Sequence, residues 1–144
     1  MSRLFIELYT LNINPVRLPV LSFWKQNTVS EKIYLKKLFS ESSRTSEENL
    51  ELFALLNLDI LESLNYGLMS ASDALRTFFH AGNSLFVCQE LRDRTSDEIM
   101  SRGVQLPDLF EVLPTEEAQR EFQREMATLH SLCLRLLEQK MVAA

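Results

Sequence analysis

With 144 residues, an apolar share of 46% and a charged share of 24%, the chain suits one globular domain whose core needs no metal or disulfide. Charge is uneven: residues 1–40 carry six Lys and Arg against two Glu, or +4, while residues 41–144 carry nine against eighteen acids, or −9. The acidic body repels nucleic acid and anionic membrane. No apolar run reaches the roughly 18–20 residues of a bilayer span, and the first 24 residues are too interrupted for a cleavable leader, so the expected compartment is the cytoplasm.

Residues 1–40 are read as a basic arm of mixed or poorly defined structure. Leu4, Ile6 and Leu8 alternate with Phe5, Glu7 and Tyr9, which fits a short strand or an apolar helix, and Pro15 and Pro19 then break the chain. Ser30 to Phe39 reads as a basic helix carrying Ile33, Leu35, Leu38 and Phe39. The polar stretch Ser40 to Ser46 marks the boundary with an acidic helical bundle over 41–144.

Thr45 and Glu48 have the spacing of a capping box, in which each side chain satisfies a free backbone N–H at a helix start. From Leu50 to Leu64 ten of fifteen residues are apolar, a stripe wide enough for contact on several sides, so this is the expected central helix. Ser70 is placed as the cap of a helix with Ala71, Ala74, Leu75, Phe78 and Phe79 on one face. Asn83 or Ser84 then starts a third helix that buries Leu85, Cys88 and Leu91. Thr95 and Glu98 repeat the capping-box spacing and imply a restart before Ile99.

Pro107 and Pro114 bracket what reads as a single helical turn. Thr115 is taken as the cap of the last and longest helix, whose seam Ala118, Phe122, Met126, Leu129, Cys133 and Leu136 steps by three and four. The expected fold is an all-α single-domain bundle of about five helices with a long C-terminal helix.

The three glycines, Gly67, Gly82 and Gly103, each follow an apolar helical run and are read as helix stops. None is then left for a phosphate-cradling loop, a dinucleotide turn or a nucleophile elbow.

A metal site or small helical enzyme would have to use His80, His130 and Cys133, with Cys88 completing a Cys2His2 set. His130 and Cys133 stand three apart on the last helix, but no Cys-x-x-Cys knuckle is present and both thiols read as buried and free. The serines fall at turns and helix starts, where they cap backbone N–H groups. The carboxylates Glu116, Glu117, Glu121 and Glu125 interleave with Arg120 and Arg124 as on a solvated helix face. No catalytic residue, cofactor or metal is assigned. In the basic segment Phe23, Trp24 and Tyr34 interleave with lysines including Lys36 and Lys37, as a nucleic-acid accessory factor or a membrane-surface contact would require, but six scattered cations are few.

The favoured function is a non-catalytic protein–protein interaction or adaptor role through apolar helix faces, with a homodimer as the simplest case. Residues 104–113 hold more apolar side chains than one turn buries, so the candidate surface is Leu106, Leu109, Phe110, Leu113, Phe122 and Leu129. Phe23, Trp24, Lys36 and Lys37 form the candidate N-terminal contact.

Overall fold

A computed structural model describes residues 32–41 and 43–143, with side chains as far as Glu138. Expectations for residues 1–31, including those for Phe23 and Trp24, lie outside the described residues. The fold is all-α. Among the described residues there are six helices and no strand: α1 (Leu35–Ser40), α2 (Ser46–Asn65), α3 (Ala71–Thr77), α4 (Ala81–Phe86), α5 (Arg94–Val112) and α6 (Thr115–Ala143). None of them is long and apolar enough to cross a membrane.

Local chemistry sets several of these boundaries. The Thr45–Glu48 capping box forms, with Glu48 N–H donating to Thr45 Oγ1 at 3.2 Å and Thr45 N–H to Glu48 Oε1 at 3.1 Å. A second box joins Ser70 and Asp73 at the start of α3. Burial opposes ionisation of Asp73, but hydrogen bonds from the Ser70 N–H and hydroxyl and from Arg76 outweigh it and hold the carboxyl below its ordinary pKa.

At the end of α2, Leu68 N–H reaches Ser63 O at 2.9 Å and Gly67 N–H reaches Leu64 O at 3.2 Å. That pair of bonds is a Schellman closure, and it requires the left-handed φ of +72° that Gly67 adopts. Nothing lies within 4 Å of a Cβ added there, so Gly67→Ala should cost only the backbone penalty of about 1 kcal/mol, read by urea unfolding.

The other two glycines are not helix stops. Gly82 lies in the first turn of α4, whose N-cap is His80. Gly103 lies in the interior of α5. A side chain there would overlap the Phe79 ring: its Cβ would stand 2.7 Å from Phe79 Cγ and closer still to Cδ1 and Cε1. Gly103 is therefore a packing glycine, which lets the fully buried Phe79 of the α3–α4 connection approach the α5 backbone.

Pro107 likewise sits inside α5 rather than opening a separate helical turn. It cannot donate to the Gly103 carbonyl one turn back, ordinarily a severe local penalty. Burial sustains the helix through it. Ile99, Met100, Gly103, Leu106 and Pro107 recur at helical spacing and are all buried.

The third helical run also differs from expectation. Leu85 and Cys88 are exposed, whereas Asn83 and Val87 are buried. After Phe86 the backbone widens into a π-helical turn over Val87–Leu91, closed by Arg92 in the left-handed region at φ 48°. Leu85 precedes this turn, so its exposure is set within α4, with Asn83 and Val87 four apart on the buried face. Helix α5 restarts at Asp93, two residues before the expected Thr95, with Ser96 N–H donating to Asp93 Oδ2 at 2.9 Å. Helix α6 begins one residue earlier than a Thr115 cap implies, since its first bond runs from Ala118 N–H to the Pro114 carbonyl.

Helix α6 is 29 residues long, about 43 Å at 1.5 Å per residue, and packs along α5 and α2. Every residue of its expected seam is buried, from Ala118 to Leu136. Helix α2 buries Phe53, Ala54, Leu58, Ile60, Leu61 and Leu64. Helix α1 rests on α4 and inserts Leu35, with no exposed surface, and Phe39, whose ring meets Phe86 edge-on at 5.4 Å.

Candidate protein-interaction site

The α5–α6 corner is built by the continuous helix through Pro107. Because α5 does not break there, Arg102, Gln105, Leu106, Leu109 and Leu113 fall along one side of it at helical spacing. Together with Asp108, Val112 and Glu125 of α6 they line an open cleft of about 330 Å3. Its apolar floor is Leu106, Leu109 and Leu113. Val112 is 77% exposed at its end, and Phe110, 42% exposed, lays its ring on Phe122 at 5.3 Å.

A charged clamp closes the other end. One Nη of Arg102 donates to both carboxylate oxygens of Glu125 at 3.0 Å, and its Nε donates to Glu98 at 2.9 Å. The Glu98 bond, then the Glu125 bond, hold the guanidinium above its ordinary pKa. The clamp ties α5 to α6 while leaving the apolar floor open.

The six expected interaction residues divide. Leu106, Phe122 and Leu129 belong to the core, with Leu129 fully buried. Leu109 and Leu113 keep accessible surface in the cleft, and Phe110 is exposed against Phe122 outside its lining. Lys36 and Lys37 are exposed on α1, away from this corner. Val112, Asp108, Gln105 and the Arg102–Glu125 pair join the site without having been expected there. The helical spacing from Arg102 to Leu113 carried that signal, and Pro107 hid it.

The histidines and cysteines do not gather. His80 uses both ring nitrogens on backbone: Nδ1 accepts from Asn83 N–H at 3.4 Å, and Nε2, which then carries the proton, donates to Ile33 O at 2.8 Å. His130 is half-buried, which lowers its pKa. Burial pushes the Cys133 thiol up to about 12, whereas Cys88 is exposed, contrary to the expectation that both thiols are buried. Among the described residues no three His, Cys, Asp or Glu side chains are placed to hold a metal ion.

These placements predict two separated thiol reactivities. An aromatic disulfide reagent should titrate one thiol, Cys88, promptly in the native protein, and Cys133 only on unfolding. Rapid modification of both would contradict the burial of Cys133.

Compared with known proteins, the chain matches no family model, no curated protein and no solved structure, so its functional reading rests on this geometry alone.

Proposed function

We propose that the protein is a non-catalytic, cytoplasmic protein-binding module that engages its partner through the α5–α6 corner. The observation that carries this reading is the cleft floored by Leu106, Leu109 and Leu113, with the 77% exposed Val112 in its lining. Exposed apolar groups gathered around a recess with a polar rim are the usual form of a recognition surface. The exposed free thiol of Cys88 supports the reducing compartment.

A photo-crosslinking residue placed at position 112 in living cells tests the proposal. It should give a discrete protein adduct that Leu109→Ser abolishes, provided the melting profile shows that variant to be folded. The same crosslinker at Tyr66, an exposed aromatic at the end of α2, should not give that adduct. Identical patterns from both positions, or none from position 112, would overturn the reading.

A further inference from the structure

We propose that the occupant of the α5–α6 cleft is a cationic amphipathic helix. It would seat a large apolar side chain over Leu109 and Val112 and set Lys or Arg against Asp108 and Glu111. This inference rests on the reading of the corner as a protein-binding site and names the chemistry of its partner.

Size is the first argument. A recess of about 330 Å3 stands at the lower limit of the roughly 300–1,000 Å3 of small-molecule sites, and this one is open. It suits one or two side chains anchored from a helix, the mode in which an amphipathic face lies in an apolar groove.

Charge decides the sign of the partner. Between Asp108 and Glu125 the corner carries six acids against Arg120 and Arg124, a net −4. Arg124 is bound to Glu121, and Arg102 is already held by Glu98 and Glu125. Asp108 and Glu111 form no ion pair among the described residues. They lie toward the C-terminal end of α5, where the helix dipole is negative, and no basic residue occupies its last turn. Negative charge at that end is unfavourable and uncompensated within the described residues. A cation from a partner relieves both the carboxylates and the helix end.

The same distribution disfavours a second copy as occupant. A two-fold contact through this corner would bring two patches of the same negative sign together, and these repel.

The test uses the full chain and two model helices of about 15 residues with the same leucine stripe, one carrying Lys and the other Glu at its polar positions. Fluorescence anisotropy should show saturable binding of the Lys helix, weakening severalfold as salt rises, and none of the Glu helix. The double variant Asp108→Lys, Glu111→Lys should weaken binding about tenfold or more. Glu47→Lys with Glu90→Lys changes net charge equally on other elements and should stay within about twofold.

Equal losses in the two double variants would show attraction to total charge and overturn the proposal. Equal binding of both helices would overturn the cationic occupant while leaving the apolar docking site standing. Absence of Lys-helix binding also overturns it, and the crosslink at position 112 then decides separately whether the corner binds protein at all. Dimerisation of the wild type that Val112→Asp abolishes would overturn it in favour of a second copy.

Discussion

Replacing Gly103 by alanine should destabilise the protein by about 2 kcal/mol or more, although the same change in an exposed helix interior would add about 1 kcal/mol. The reason is steric. The new Cβ would overlap the ring of Phe79, which has no exposed surface and is itself met edge-on by Phe78 at 5.1 Å. Phe79 cannot turn away without disturbing that pair, so the strain must move α3 relative to α5. A double-mutant cycle with Phe79→Leu checks the mechanism. The pair should be less destabilised than the sum of the single changes, because the smaller side chain relieves the overlap. Urea unfolding that finds Gly103→Ala as stable as wild type would refute the contact.

That same contact explains why part of the fold was hidden in the sequence. A glycine after a helical run ends the helix at Gly67, where its own φ of +72° and the bonds of Leu68 and Gly67 are all local. Gly103 also follows a helical run but has the opposite role, because the deciding group, Phe79, is remote in sequence. Pro107 misled for the same reason: its local penalty is outweighed by the burial of Leu106 and Pro107 in a face that starts at Ile99. The capping box at Thr45 and the seam of α6 were legible because capping needs only four residues and a seam needs only its period. The π turn at Val87–Leu91 left no such mark, and neither did the burial of polar Asn83 on the inner side of that run.

The candidate site followed the same rule. Leu109, Phe110 and Leu113 stood out as excess apolar residues between two prolines; Leu109 and Leu113 line the recess, and Phe110 stays exposed against Phe122 outside its lining. Leu129 stood out equally, but the length of α6 against α2 and α5 gives it complete cover. An apolar count marks side chains that need burial, and only the packing of helices shows which are left over.

A still larger effect is expected at Asn83, a residue that the sequence suggested only as a helix start. Its side chain is buried and makes three hydrogen bonds: Nδ2 donates to Ile33 O at 2.9 Å and to Phe78 O at 2.8 Å, and Oδ1 accepts from Leu35 N–H at 2.9 Å. With Ile33 N–H bonded to Thr77 O at 2.8 Å and His80 on the Ile33 carbonyl, it fastens the extended backbone before α1 onto the α3–α4 connection. Asn83→Ala leaves the Leu35 N–H and the Phe78 carbonyl without these partners. At about 1–3 kcal/mol for each buried group left unsatisfied, the expected loss is about 3–4 kcal/mol. Exchange of the Leu35 amide should accelerate more than that of Leu129, because the strap opens before the core. Asn83→Asp separates the roles of the two side-chain atoms. It retains an acceptor for Leu35 but sets a carboxylate against two carbonyls, so the charged form is disfavoured in the fold and the carboxyl pKa is raised there. A raised folded-state pKa means stability present at low pH and lost as pH rises through that value. The aspartate variant should therefore gain stability relative to wild type on acidification from about pH 7 to about pH 5, when its carboxyl can donate as the amide does. An alanine variant that loses less than about 1 kcal/mol, or an aspartate variant with no such relative gain, would show that these bonds do not hold the strap.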